Sequence, residues 1–339
     1  MKNKLENYKT FLITGGTGSF GSTMINELLL SKKVKKIICF SRDELKQFEL
    51  SNKIQDNRLR FFIGDVRDKN RLLSAFKDID VVIHAAAMKQ VPASEYNPTE
   101  CIKTNITGAE NIIDAALERN VKRVIALSTD KAVSPINLYG ATKLAADKLF
   151  IAANNYSGNK NIRFATVRYG NVINSRGSVI PYFLDLQRKG INTTPITHKD
   201  MTRFVLSLKE GVKFVLFSLS KMRGGEIFIP KLPSIKILDL AKAINPNAKI
   251  KIIGVRPGEK LHEVLCPADE CYNTIEFKNY YLIKPSILFS KNLNYNISLD
   301  SEIGKPVKDG FEYNSFNNKN YLSINSINKI VKNIRNYTN

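Results

Sequence analysis

Residues 10–21 read TFLITGGTGSFG, in which an apolar strand runs directly into a glycine-rich turn. Gly16, Gly18 and Gly21 fit the pattern GxGxxG, while Gly15, Gly18 and Gly21 fit the related pattern GxxGxxG. Glycine suits these positions because the chain must bend tightly and bring bare backbone close to a pyrophosphate at a helix N-terminus. A helical periodicity of apolar residues follows. Between a strand and a helix, the pattern predicts a dinucleotide-binding unit rather than an ordinary glycine-rich turn.

The first half of the chain repeats this alternation of strand and helix. A helix is predicted over residues 98–119, and apolar strands are predicted at residues 36–40, 59–63, 80–84, 122–127 and 162–167. Such alternation predicts an α/β fold, a Rossmann-type doubly wound parallel sheet. Ligands of such a sheet bind at the carboxyl ends of the strands.

The length of 339 residues allows this domain and one smaller lobe. We assign residues 1–170 to the dinucleotide-binding Rossmann domain, to which the chain returns at about 200–232. Residues 171–199 and 233–339 are assigned to a smaller C-terminal α/β lobe that binds the substrate. An apolar stripe in residues 323–337 predicts a terminal helix.

The chain is strongly basic, with 52 Lys and Arg against 31 Asp and Glu and a formal net charge of +21. The basic residues are spread along the whole sequence, and no nucleic-acid-binding motif stands out. This distribution favours a solvated surface with local attraction for phosphate-bearing ligands over a nucleic-acid partner.

No apolar run approaches the roughly 18 residues of a membrane span, and no signal peptide is evident, so we expect a cytoplasmic protein without a membrane partner. The four cysteines are scattered, as in a reducing compartment. Cys266 and Cys271 lie near His262 but lack a second ligand pair at zinc spacing. We therefore expect free thiols and no metal.

Residues at two predicted strand ends would contact the adenosine part of a dinucleotide. The second strand ends in Ser41, Arg42 and Asp43, with Lys46 one turn later. An acid at this tip accepts from the ribose 2′-hydroxyl of NAD, whereas Arg accommodates the 2′-phosphate of NADP. The order of these residues favours NADP, although Asp43 leaves NAD open and Arg42 alone also fits a surface residue. Asp65 and Val66, after the third strand, suit the adenine.

Residues 127–143, LSTDKAVSPINLYGATK, contain the predicted chemistry. Tyr139 and Lys143 lie on one helix face, where the ammonium would lower the pKa of the phenol and make it a base toward a hydroxyl. Asp130 and Lys131 offer an acid and an amine at the end of the fifth strand, able to handle two separate protons. A YxxxK pattern alone would equally fit a solvated helix face.

Three arginines in predicted loops follow the sixth strand, namely Arg176, Arg203 and Arg256. Each alone fits a surface charge. After a dinucleotide fold, the three together predict clamps for a diphosphate.

The motifs GGTGSFG, SRDE, GDVRD, HAAAMKQVP, STDK, YGATK, RYGNV and RPGEK occur in this order. Over residues 10 to about 285, the chain thereby resembles the extended short-chain dehydrogenases/reductases. Within them it is similar to the inverting UDP-N-acetylglucosamine 4,6-dehydratases of pseudaminic acid synthesis. Lys131 stands where the retaining dehydratases have Glu, and Tyr139 is present where the capsule-type inverting enzymes lack it. Gln90, where the pseudaminic branch often has His, is a small departure.

The resemblance implies NADP as cofactor, UDP-N-acetylglucosamine as substrate and a homo-oligomer of two to six chains. The cofactor-binding set, part of it carried over from the family, is Gly15, Thr17, Gly18, Ser19, Phe20, Gly21, Ser41, Arg42, Asp43, Lys46, Asp65, Val66, Ala85, Ala86, Lys89, Asn105, Tyr139, Lys143 and Val172. The substrate-binding set implied in the same way is Lys89, Asn171, Arg176, Gly177, Ser178, Val179, Thr193, Met201, Arg203, Arg256 and Glu259.

The implied reaction oxidises C4 of the sugar, eliminates water across C5 and C6, and returns hydride to C6 with inversion at C5. Tyr139 with Lys143 would take the 4-hydroxyl proton, and Thr129 would hold the 4-oxygen. Lys131, with a pKa lowered if it is desolvated and close to the cationic nicotinamide and Lys143, would take the C5 proton, and a protonated Asp130 would release the 6-hydroxyl as water. The alternatives are a UDP-sugar 4-epimerase on the same fold and a non-catalytic module that binds dinucleotide or nucleic acid.

Overall fold

One large sheet forms the core of the computed structural model, which describes residues 7–158, 160–173, 178–290 and 293–338. The strands of the described residues are β1 Thr10–Thr14, β2 Lys36–Ser41, β3 Leu59–Ile63, β4 Val81–His84, β5 Arg123–Thr129, β6 Arg163–Tyr169, β7 Asn171–Val172, β8 Thr193–Ile196, β9 Thr202–Leu206, β10 Ile227–Pro230, β11 Ser234–Lys236, β12 Lys249–Ile252, β13 Val264–Cys266, β14 Thr274–Glu276, β15 Tyr280–Ile283, β16 Lys305–Pro306 and β17 Tyr313–Asn314.

The α-helices alternate with these strands in the first half of the chain. They are α1 Ser19–Leu29, α2 Glu44–Lys53, α3 Lys69–Ala75, α4 Val91–Tyr96, α5 Pro98–Ile102, α6 Gly108–Glu118, α7 Leu138–Ala152, α8 Val179–Arg188, α9 Leu208–Lys221, α10 Ile237–Ile244 and α11 Ile324–Thr338. The helix predicted over residues 98–119 is interrupted, because a π-helical turn at Lys103–Thr107 separates α5 from α6.

The order of the large sheet is β3-β2-β1-β4-β5-β6-β10-β15-β14-β16 within the described residues. Every pair from β3 to β10 is parallel, and the pairs beyond β10 are antiparallel. The strand order reverses between β1 and β4, which is where doubly wound folds bind their ligands. The predicted Rossmann-type fold is confirmed.

Both faces of the sheet are covered, as its apolar strands require. Successive residues of a strand point to opposite faces, so Ile13 and Ile83 enter one core while Leu12 and Val82 enter the other. His84 belongs to this packing, with its Nδ1 2.8 Å from the Thr14 hydroxyl. Burial lowers the pKa of His84 to about 3, so the ring is neutral at physiological pH.

The strands outside the large sheet form small sheets, and a separate apolar core lies among residues 180–244 and 327–334. The pairings are β11-β9-β7, β12-β8 and β13-β17 within the described residues. Ile327 and Val331 of α11 pack into that core, so the predicted terminal helix is confirmed. Strands β14 to β16 nevertheless join the large sheet, so the proposed division into domains stays a prediction.

Two kinds of feature are absent from the described part of the chain. No helix there is long and apolar enough to span a membrane. The same residues contain no group of three or more His, Cys, Asp or Glu side chains that could hold a metal ion.

Candidate active site

A cavity of about 650 Å³ opens along the carboxyl ends of β1 to β6. All five predicted catalytic residues line it: Thr129, Asp130, Lys131, Tyr139 and Lys143. The predicted cofactor residues that line it are Gly15, Thr17, Gly18, Ser19, Phe20, Gly21, Ser41, Arg42, Asp43, Lys46, Asp65, Val66, Ala85, Ala86, Lys89, Tyr139, Lys143 and Val172.

The glycine-rich turn is packed too tightly for side chains. Gly15 has a φ of +66°, and a Cβ there would lie 3.0 Å from the backbone nitrogen of Ala86. A Cβ on Gly21 would lie 2.5 Å from the Gly15 carbonyl oxygen. A Cβ on Gly16 would lie 2.5 Å from Cys39 Sγ, so both glycine patterns match the steric demands, and Gly18 is the N-cap of α1.

The tip of β2 brings both Arg42 and Asp43 to the cavity, and the Asp43 carboxylate is held by contacts with helix α2. Asp43 caps α2, where its Oδ1 accepts a hydrogen bond of 3.0 Å from the backbone N–H of Lys46, and it pairs with the Lys46 ammonium. Arg42 is more than half exposed and lies 3.5 Å from Asp65. Burial opposes the charge of Asp65, but Arg67 and Arg42 lower its pKa.

Asn105 does not line the cavity, which corrects its assignment as a direct cofactor contact. It lies in the π-helical turn, where its Oδ1 accepts a hydrogen bond of 2.9 Å from the Met88 N–H. Its Nδ2 donates to the Met88 carbonyl at 3.0 Å and to the Thr142 hydroxyl at 3.0 Å. Asn105 therefore ties the segment after β4 to helix α7.

The turn after β5 holds Lys131 between two carboxylates. Its Nζ lies 3.0 Å from Asp130 Oδ1 and 3.2 Å from Oε1 of Glu263, which is 132 residues away in sequence. Burial disfavours the ammonium, but the charges of Asp130 and Glu263 outweigh this effect and raise the pKa of Lys131. Without a cofactor the pKa of Lys131 is therefore raised, because Glu263 adds a negative charge that the prediction did not include. The lowering expected beside a cationic nicotinamide stays a prediction.

Tyr139 also differs from its prediction. Burial raises the pKa of the Tyr139 phenol to about 12, although the Lys131 charge and a hydrogen bond with the Thr129 hydroxyl act in the opposite direction. Lys143 is buried one turn away, its own pKa is lowered by burial, and its neighbouring charge is Asp147. The predicted lowering of the Tyr139 pKa by Lys143 is therefore wrong, since burial dominates.

Helix α7 packs directly on the turn Asp130–Ala132, which we call the catalytic turn. A Cβ on Gly140 would lie 2.1 Å from the Lys131 carbonyl oxygen, so the glycine permits this approach. Asn137 caps the helix by accepting the Gly140 N–H at 2.8 Å, and its Nδ2 donates to the Gly258 carbonyl at 2.8 Å. The catalytic helix is thereby joined to the RPGEK loop.

The predicted substrate residues are only partly brought together. Lys89, Asn171 and Ser178 line the main cavity, while Val179 and Arg203 line a small apolar cleft beside it. Arg176 and Gly177 lie outside the described residues. The remaining predicted residues line neither space, namely Thr193, Met201, Arg256 and Glu259.

Arg203 is buried and engaged with the protein itself. Its guanidinium donates to the carbonyls of Thr202 (2.7 Å), Lys260 (2.9 Å) and Leu261 (3.1 Å). Glu259 lies 3.5 Å and Glu263 3.7 Å from it. A role as diphosphate clamp stays a prediction, and it would require these contacts to be released.

Sequence reasoning missed the charged residues that lie behind the predicted catalytic residues. Besides Glu263, Asp147 accepts a hydrogen bond of 2.6 Å from the Ser128 hydroxyl and lies 3.6 Å from the buried Arg168, which pairs with Glu270 at 3.0 Å. Asp147 stands four residues after Lys143 on the same helix face, a spacing that could have identified it. No local pattern identifies Glu263.

Comparisons with known proteins agree with this site. A family model described as polysaccharide biosynthesis protein matches residues 11–285. A UDP-N-acetylglucosamine 4,6-dehydratase (inverting) of Campylobacter jejuni subsp. jejuni serotype O:23/36 is 59% identical over 94% of this chain and 95% of the relative. A UDP-glucose 4-epimerase of Rickettsia bellii (strain OSU 85-389) is 44% identical over 85% of each chain. The X-ray structure of Pen from Bacillus thuringiensis matches with a TM-score of 0.87 and 36% identity over 96% of this chain and 98% of that one.

Proposed function

Because this chain belongs to the polysaccharide biosynthesis protein family of extended short-chain dehydrogenases/reductases, we propose that it is an inverting UDP-N-acetylglucosamine 4,6-dehydratase, a hydro-lyase. The proposed product is UDP-2-acetamido-2,6-dideoxy-β-L-arabino-hex-4-ulose, as in the first step of pseudaminic acid-type synthesis. The observation that carries the proposal is the contact between Lys131 and Asp130 in the cavity that Tyr139 and Lys143 also line. A homo-oligomer and a cytoplasmic location stay predictions.

The cavity fits a nicotinamide dinucleotide. The glycine-rich turn presents bare backbone at the N-terminus of α1, where a pyrophosphate binds favourably. The tip of β2 lies at the same cavity and would face the adenosine ribose. When bound, the dinucleotide accepts hydride from C4 of the sugar and later supplies it to C6.

Each proposed proton transfer has a side chain in place. Tyr139 takes the proton of the 4-hydroxyl as a phenolate, so its phenol must first release its own proton to solvent. The Lys131 charge and the hydrogen bond with Thr129 favour that phenolate, whereas burial opposes it. Lys131 takes the C5 proton, and Asp130 gives a proton to the leaving 6-hydroxyl. Before the reaction, Asp130 and Lys131 together must carry one transferable proton. That proton must be on the Asp130 carboxyl, so that Lys131 is a neutral amine. The 3.0 Å hydrogen bond between them allows that transfer: an N–H bond of the ammonium breaks as an O–H bond of the carboxyl forms.

We propose NADP rather than NAD as the cofactor. Arg42 and Asp43 both border the cavity, but the Asp43 carboxylate is already engaged as a helix cap. Arg42→Ala should weaken NADP binding by about 10- to 100-fold, since a charge-assisted hydrogen bond contributes about 1.5–3 kcal/mol. Binding of NAD to the same variant should change less than about threefold, and calorimetric titration with both cofactors measures the difference. Equal losses for the two cofactors would contradict the choice of NADP.

A UDP-sugar 4-epimerase is the second candidate, because the Rickettsia bellii relative carries that name. Epimerisation uses Tyr139 and Lys143 but needs no base at C5, so the pair of Asp130 and Lys131 favours dehydration. Incubation with UDP-N-acetylglucosamine, followed by NMR of the sugar, separates the two. A C6 methyl signal with inverted C5 is the expected result. A galacto-configured product would establish epimerisation, and tight cofactor binding without turnover would support a non-catalytic module.

A further inference from the structure

Glu263 is the second carboxylate in contact with the Lys131 ammonium, after Asp130. Both carboxyl groups are almost fully buried, with side-chain exposures of 1% for Asp130 and 2% for Glu263, whereas Lys131 keeps 27%. Oδ2 of Asp130 and Oε2 of Glu263 have no hydrogen-bond partner within the described part of the chain. Asp130 Oδ1 also accepts a hydrogen bond of 3.0 Å from the Thr129 hydroxyl, and the Lys131 ammonium is a donor that the two carboxylates share.

The backbone of Glu263 is held from a distant part of the sequence. Its N–H donates to the Ser315 hydroxyl at 2.9 Å, and the Ser315 N–H donates back to its carbonyl at 2.8 Å. Strand β13, which follows Glu263, pairs with β17, which precedes Ser315. Arg203 lies 3.7 Å from Oε1. The backbone of Glu263 is thus held in place, and its carboxylate lies between Lys131 and Arg203.

We propose that Glu263 is a positioning residue of the dehydration, one that anchors the Lys131 side chain and sets the pH range in which the pair of Lys131 and Asp130 holds one proton. This inference rests on the proposed function, in which Lys131 removes the C5 proton. No net transfer to Glu263 is required, because the mobile proton passes only between Lys131 and Asp130.

The charges around Lys131 determine the direction of the effect. Asp130 and Glu263 favour its ammonium, whereas burial, Arg203 and Lys260 disfavour it, and the pKa of Tyr139 responds to the Lys131 charge. Burial and Asp130 raise the pKa of Glu263 itself, so Glu263 exerts its charge only above that raised pKa. A nearby negative charge raises the pH at which a second proton leaves the pair. Removing the charge of Glu263 should therefore let the one-proton form persist at lower pH.

Glu263→Gln keeps the shape of the side chain and removes the charge. We expect the acidic limb of the kcat profile with UDP-N-acetylglucosamine to move to lower pH by about one unit or more. Glu276→Gln is the control, because Glu276 pairs with Lys231 at 2.7 Å and lines neither the main cavity nor the small cleft. Its acidic limb should stay within about 0.2 units of wild type.

An unmoved limb in a folded Glu263→Gln enzyme, judged by cofactor binding, would overturn the inference. If that variant does not fold, Glu263→Asp tests the inference instead, because its shorter side chain keeps the negative charge but holds it farther from Lys131. It should move the limb in the same direction by a smaller amount, and no movement would again overturn the inference. Failure of wild type to dehydrate the sugar would instead reject the proposed function.

Discussion

Replacing Lys131 by methionine should lower the dehydration rate by about 10³-fold while the bound cofactor is still reduced by the sugar. Methionine keeps the length of the stem but cannot accept the C5 proton. Tyr139 and Lys143 are unchanged, so oxidation at C4 should continue and stop at the ketone. The measurement combines absorbance of the reduced nicotinamide with NMR detection of the C6 methyl group.

Lys148→Met is a suitable control for this variant. Lys148 lies on the same helix as Lys143, is exposed and is 4.0 Å from Glu270. Its replacement should leave both the cofactor signal and the methyl signal within about twofold of wild type. Wild-type elimination rates in Lys131→Met would remove Lys131 from the mechanism, and loss of both signals would mean that the amine is needed before elimination.

Gly140→Ala should destabilise the protein and lower activity, against the trend of helix propensity. In an unobstructed helix, alanine is about 1 kcal/mol more favourable than glycine. Here the added Cβ would lie 2.1 Å from the Lys131 carbonyl oxygen and 3.0 Å from its carbonyl carbon. Both are backbone atoms, so helix α7 or the catalytic turn must shift. We expect the free energy of unfolding to fall by about 1–3 kcal/mol and kcat to fall by about 10²-fold.

Gly211→Ala provides the matched comparison in helix α9. A Cβ there would meet only the side chain of Leu206, at 3.4 Å, among the described residues. Its replacement should leave activity unchanged and keep or raise the free energy of unfolding, measured by urea denaturation. Equal behaviour of the two variants would contradict the close seating of α7 on the catalytic turn.

The sequence was informative where the signal is local. The glycine-rich turn, the strand ends and the pair of Tyr139 and Lys143 each lie within a few residues, and all of them border one cavity. Parallel strands meet at the same edge of a sheet, so the fold brings these separate motifs together without further information.

The charge states could not be predicted in the same way. Lys131 meets Glu263 across 132 residues, and Tyr139 is governed by burial, which is a property of the folded chain. Asn105 was predicted to contact the cofactor, but it forms hydrogen bonds with Met88 and Thr142 and does not line the cavity. Strands β14 to β16 span only two to four residues each, too few for a pattern to show that they extend the large sheet.

The mutual hydrogen bonds of Glu263 and Ser315 have a consequence for the order in which the enzyme matures. A nascent chain completes its glycine-rich turn and catalytic helix while more than half of the polypeptide is still to be translated. The carboxylate that steadies Lys131 is secured only after residue 315 has emerged from the ribosome. On the inference drawn for Glu263, a chain released early could acquire its nucleotide coenzyme but would lack full control over the acid–base step.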